Sequence, residues 1–130
     1  AIKVYEEVVS RFGEDNSPGV REAVAQALVN KGVALALKDK SGEAIKVCEE
    51  AVSRFGEDTS PGVREMVARA LVLKGSALAL KDKRGEAIKV YEEVVNRFGA
   101  DASPGVREAV AMARRGKEIL TRRKETLTRQ

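Results

Sequence analysis

The sequence predicts an all-α fold, a solenoid of about six helices built from helix-turn-helix repeats in a single domain over residues 1–130. Three observations predict it: a segment that returns every 43 residues, a helix-start and a helix-stop signal at fixed places in each copy, and apolar residues at helical spacing. Ala1-Ile2-Lys3-Val4-Tyr5-Glu6-Glu7 comes back at residues 44–50 with Cys48 in place of Tyr, and again unchanged at residues 87–93. Phe12, Phe55 and Phe98 keep the same interval, as do Pro18, Pro61 and Pro104. Residues 1–43 and 44–86 differ at eight positions, and residues 87–111 differ from 1–25 at three. Recent duplication and consensus design both account for such likeness.

In chain order, residues 1–13 read as the second helix of a truncated first unit, and 17–56 as the first full helix pair. That pair opens at Ser17-Pro18, where a serine is expected to cap free amides and proline to occupy the first helical position, its missing N–H costing nothing there. The first helix is expected to run to about Lys38, the stretch Asp39-Lys40-Ser41-Gly42 to break it, and the second helix to run from about Glu43 to Phe55. Gly56 then stands where a left-handed cap is favoured. Residues 60–99 repeat the pair, and 103–130 read as a C-terminal capping helix, because Leu71-Val72-Leu73 of the previous unit is replaced there by Arg114-Arg115-Gly116.

The two helices of a pair differ in character. On the shorter one Ala44, Ile45, Cys48, Ala51, Val52 and Phe55 share a face, while Lys46, Glu49, Glu50, Ser53 and Arg54 lie opposite, so one side is wet. Between Ala23 and Leu37 of the longer helix only Gln26, Asn30 and Lys31 are polar. A helix apolar around most of its circumference must be sandwiched. One pair cannot do that alone, so units must stack, with Gly32 and Gly75 expected to let backbones approach closely. The start at Ala1 is expected to leave an apolar face open, which points to end-to-end association and a homo-oligomer through open repeat ends.

Composition narrows the function classes. The chain is 43% apolar but holds only two Tyr, three Phe and no Trp, so Ala, Val and Leu supply the packing. The net charge of +4 is concentrated at the end, where seven Lys or Arg face two Glu between Arg114 and Gln130. Without aromatic residues for base stacking, that tail reads as a solvated cap, and nucleic acid is not expected as a partner. A single cysteine, Cys48, excludes an internal disulfide and fits a reducing cytoplasm. Apolar runs such as Val33-Ala34-Leu35-Ala36-Leu37 fall far short of the ~20 residues that cross a bilayer, and the N-terminus lacks the marks of a signal peptide.

The spacing of Leu28, Lys31, Gly32 and Leu35, then Ala44, Cys48 and Ala51, resembles the tetratricopeptide repeat. Leu71, Lys74, Gly75, Leu78, Ala87, Tyr91 and Val94 carry the same pattern one unit on. The nine residues by which each unit exceeds the ~34 of that repeat fall around residues 56–64 and lengthen the first helix by about two turns, as in the longer-period class of about 42–43 residues. The resemblance implies a right-handed superhelix, a concave groove lined by the first helices, and a role in holding proteins or peptides without catalysis.

Four of the differences between the first two units, Ala23/Met66, Gln26/Arg69, Asn30/Leu73 and Val33/Ser76, are three or four residues apart and form one stripe on the longer helix, which Leu37 and Leu80 continue. By resemblance the stripe is the concave ligand face, with Gln26, Val29, Asn30, Val33, Leu37, Met66, Arg69, Leu73, Ser76 and Leu80 as candidate contacts. Its apolar character favours an amphipathic helix or apolar peptide. Two readings of the variation stay open: drift of an exposed face, and tuning of each unit to a different part of a partner. With no His and only one Cys, neither a catalytic site nor a metal or cofactor site is expected, and Cys48, standing where Tyr5 and Tyr91 stand, reads as a core residue.

Overall fold

The computed structural model describes the backbone of residues 2–129 and the side chains of residues 2–123. The basic-tail residues Lys124 and Arg129 thus have side chains outside the described part. Among the described residues six α-helices follow one another: α1 (Ile2–Phe12), α2 (Pro18–Leu37), α3 (Ser41–Phe55), α4 (Pro61–Leu80), α5 (Arg84–Phe98) and α6 (Pro104–Arg129). No strand occurs among the described residues.

They form two rows. The long helices α2, α4 and α6 pack directly on one another, whereas α3 is wedged between α2 and α4, and α5 between α4 and α6. The short helices do not meet each other's backbones, and α1 touches only α2. A row whose members touch is shorter than a row whose members are held apart, so the stack bends with α2, α4 and α6 on its inner, concave side. This is an all-helical repeat solenoid.

The amphipathic pattern explains the layering. Cys48 and Ala44 of α3 are fully buried, as is Ala87 of α5, and α4, packed against α2, α3, α5 and α6, buries Val63, Ala68, Ala70 and Leu71 with almost no exposure. In contrast α1 has no fully buried residue. The cost of lacking a neighbour can be seen at equivalent positions: Phe12 is 46% exposed where Phe55 and Phe98 are 6% and 2%, and Val4 is 61% exposed where Val47 and Val90 are 8%.

Repeated polar contacts join the units. Arg21 pairs with Asp58 and Arg64 with Asp101, while Arg54 and Arg97 donate to the carbonyls of Gly13 and Gly56 at 2.7 and 3.0 Å. Arg64 also lies over the Phe98 ring, 4.9 Å from its centre. Glu49 and Glu92 pair with Lys74 and Lys117 of the next long helix at 3.2 Å. These last pairs are half exposed and set register more than they stabilise.

The helix ends depart from the sequence reading in three ways. Neither Ser17 nor Ser60 makes a side-chain cap. Instead the backbone N–H of Ser17, Ser60 and Ser103 donates to the carboxylate two residues earlier, on Asp15, Asp58 and Asp101, and the Ser17 and Ser103 hydroxyls turn back to it as well. An Asp before Ser-Pro offers a nearby acceptor, and the Asx-type turn wins over the cap. Gly56 is right-handed (φ −61°), so no left-handed conformation selects it; a Cβ there would stand 2.5 Å from the Val52 carbonyl oxygen. Among the described residues the left-handed ones are Asp39 (φ 64°) and Asp82 (φ 61°). After α2, Lys40 N–H bonds Leu35 and Asp39 N–H bonds Ala36, the double closure of a Schellman motif, which α4 repeats through Lys83 and Asp82. Because the reversal is complete within Lys38, Asp39 and Lys40, Ser41 and Gly42 already belong to α3 and not to the break.

Candidate functional site

The inner row carries a groove of about 360 Å³ between α2, α4 and α6. Val29 and Val33 of α2, Val72 and Leu73 of α4, and Ala109 and Met112 of α6 give it an apolar floor. Glu65, Arg69, Ser76 and Glu108 supply its polar points. Val33 and Met112 are 40% and 51% exposed, so apolar side chains face water inside it. Glu65 reaches across to the first turn of α6, where a Cβ on Gly105 would collide with its carboxylate; glycine makes room for this approach. The acid then sits near the positive end of the α6 dipole, and Arg69 pairs with it at 3.9 Å.

Of the residues expected on the ligand face, Val29, Val33, Arg69, Leu73 and Ser76 line this groove. Gln26 is exposed and Asn30 half-buried on α2, outside its lining. Leu37 and Leu80 are 83% and 73% exposed at the C-terminal ends of α2 and α4, also outside it. Met66 is 6% exposed and belongs to the core. Glu65, Glu108, Ala109 and Met112 line the groove without belonging to the expected set. Met112 stands one period after Arg69 and two after Gln26, and Ile119, 47% exposed, stands one period after Ser76. Continuing the stripe into α6 would have found both.

The structure also gives a packing cause for part of the variation. Tyr91 of α5 lies between two glycines: a Cβ on Gly75 of α4 would be 2.5 Å from its ring, and one on Gly116 of α6 would be 2.7 Å away. At the equivalent place on α3 stands the smaller Cys48, and the space beside Gly32 is shared by Cys48 Sγ and Leu73 Cδ2, at 3.4 and 3.0 Å from where its Cβ would be. Leu73 therefore replaces the bulk that Tyr supplies elsewhere. These glycines admit a side chain, rather than a second backbone as expected from the sequence. Ser76 follows the same logic, since its hydroxyl is 3.0 Å from the Tyr91 hydroxyl, a bond for which Cys48 gives Val33 no partner. Two of the four stripe differences thus track the Cys48/Tyr91 exchange.

The chemistry of the remaining groups is quiet. Burial pushes the Cys48 thiol up to about 12, so it is neutral and unreactive at ordinary pH. Asp15 and Asp101 are held below the usual carboxylate range by the hydroxyls of Ser17 and Ser103, and Asp58 by the Ser60 N–H, with Arg21 assisting. None of these faces the groove. Among the described residues no cluster of His, Cys, Asp and Glu could hold a metal ion, and no helix is long and apolar enough to cross a membrane.

Comparison with protein families matches the tetratricopeptide repeat to residues 25–57 and 68–99, together half of the chain. A HEAT repeat associated with sister chromatid cohesion matches residues 7–28 alone, across the α1–α2 turn. No curated protein and no solved structure matches the chain. Both tetratricopeptide matches begin inside a long helix, at Ala25 and Ala68, and end just beyond the short helix that packs on it; residues 58–67 between them are the loop and the first seven residues of α4, which lengthen the long helix. Two matched helix pairs, stacked with their long helices inward, make this chain a member of the tetratricopeptide repeat family.

Proposed function

We propose that this chain is a scaffold, the general role that tetratricopeptide repeats suggest, and that it holds an apolar peptide segment or one face of an amphipathic helix in the groove between α2, α4 and α6, without catalysing a reaction, in a reducing cytoplasm. The observation that supports this reading is the exposure of Val33 and Met112 on the floor of a concave groove whose rim is charged. Apolar side chains left in water inside a concavity are stabilised by an apolar guest, while Arg69, Glu65 and Glu108 orient its polar edge.

The test is capture of helical peptides from a random displayed library by the native protein and by the Val33→Glu, Met112→Glu double variant. Enrichment of apolar sequences that the variant no longer holds supports the groove. Equal retention by both proteins rules it out. The second reading, assembly through terminal helices, draws on the exposed apolar side of α1.

A further inference from the structure

A second groove, of about 470 Å³, lies at the far end of the stack beside α6, lined by Gly99, Arg107, Val110, Ala111 and Arg114 among others. Its equivalents within the chain are already filled. In one, Arg54, Phe55 and Asp58 of α3 and the following loop lie against α2, with Arg54 on the Gly13 carbonyl and Asp58 on Arg21. In the other, Arg97, Phe98 and Asp101 do the same against α4, with Arg97 on the Gly56 carbonyl, Asp101 on Arg64, and Phe98 beneath Arg64. At α6 the receiving residues 103–111 are identical to 17–25, and among the described residues no helix lies against them on the side that α3 and α5 cover at α2 and α4. Ala111 is exposed where Ala25 and Ala68 are 1% and 0% exposed, and Arg107 has no ion pair among the described residues.

A matching insert stands on α1. Arg11-Phe12-Gly13-Glu14-Asp15 repeats Arg54-Phe55-Gly56-Glu57-Asp58 without change, and there Phe12 is 46% exposed and Asp15 lies open to solvent. We infer that the groove beside α6 receives the α1 end of a second copy of this chain, with Arg11 donating to the Gly99 carbonyl, Phe12 under Arg107, and Asp15 paired to Arg107. The groove is lined by Arg107, Arg114 and Arg115 against Asp101 and Glu118, and Asp101 is already paired with Arg64, so the acidic pair Glu14-Asp15 meets an excess of positive charge.

The contact is confined to the turn end of α1. Farther along α6, Arg114 and Glu118 stand where α4 has Leu71 and Gly75, and Glu118 occupies the place whose glycine admits a tyrosine ring. Tyr5 of the second copy is therefore not seated, and the interface is of the small, transient class, under about 1,200 Å². Because the two surfaces differ, association is head-to-tail and does not close at a dimer.

The experiment is sedimentation and light scattering of the whole chain from micromolar to millimolar concentration, with Asp15→Arg, Arg107→Asp and Phe12→Ser variants whose helicity is checked by circular dichroism. The wild-type mass is expected to climb without a plateau at the dimer, and each variant alone to remain monomeric. An equimolar mixture of Asp15→Arg and Arg107→Asp is expected to assemble again, since the arginine introduced in one chain then meets the aspartate introduced in the other, a recovery that misfolding cannot mimic. A wild-type monomer throughout, a plateau at the dimer, or folded single-charge variants that stay monomeric when mixed would each overturn the inference.

Discussion

The exchange of Tyr for Cys at position 48 makes a quantitative prediction about the α3–α4 contact. The Tyr91 ring has glycine on both sides and no clearance for a Cβ on either. A tyrosine introduced by Cys48→Tyr would find Gly32 on one side but Leu73 on the other, whose Cδ2 already fills that space. Overpacking of this kind costs about 1–3 kcal/mol. Leu73→Gly alone removes a half-buried side chain, for about 1–2 kcal/mol at the low end of large-to-small losses, and adds about 1 kcal/mol for a helical glycine. Combined, the two changes rebuild the Tyr91–Gly116 arrangement, and the double variant should recover about 2 kcal/mol relative to the sum of the singles. Adding Val33→Ser restores the partner that Ser76 gives Tyr91 and should return about a further 1 kcal/mol. Urea unfolding followed by circular dichroism at fixed temperature reads all of these. Additivity of the two single changes within about 0.5 kcal/mol would refute the compensation.

Other consequences are simpler to measure. Phe98→Ala should cost about 3–5 kcal/mol because the ring is 2% exposed, whereas Phe12→Ala, the equivalent residue two units earlier but 46% exposed, should cost under about 1 kcal/mol; equal losses in chemical denaturation would contradict the layering. Cys48 should resist a thiol-labelling reagent at mildly alkaline pH and react at once in denaturant, so rapid labelling of the folded chain would disprove its burial. Asp58 and Asp101 are held below their unfolded values, so the stabilisation they provide is complete above about pH 4 and disappears as pH falls through the folded value. Asp58→Asn should accordingly flatten the acid limb of the stability curve, and an unchanged slope would count against the Ser60 and Arg21 contacts.

Most of the architecture could be read without coordinates because the signals reinforce one another. A 43-residue period, Pro at each long-helix start and a short helix wet on one side beside a long helix apolar around most of its circumference lead to one packing solution. Turn chemistry was harder to read. Ser17 looks like a cap until the Asp two residues before it is weighed as a competing acceptor, and the left-handed Asp39 and Asp82 lack the glycine that usually marks such a site. The groove was half legible for a different reason. The stripe on α2 and α4 follows from spacing, but α6 diverges so visibly at Arg114-Arg115 that its first half, still in register, reads as a cap and hides Glu108 and Met112. Neither could spacing separate ligand tuning from packing, since Leu73 and Ser76 answer to a residue on another helix.

The groove itself is tested most directly by titrating a library-selected peptide, followed calorimetrically, into the native chain and two variants. Val33→Glu with Met112→Glu places charge on the groove floor, and Leu80→Glu places it on an equally apolar but outlying position. The double variant should lose at least tenfold in affinity, about 1.4 kcal/mol, and Leu80→Glu should lose none. Undiminished binding by the double variant, or loss of binding in the Leu80→Glu chain, would place the peptide outside this groove.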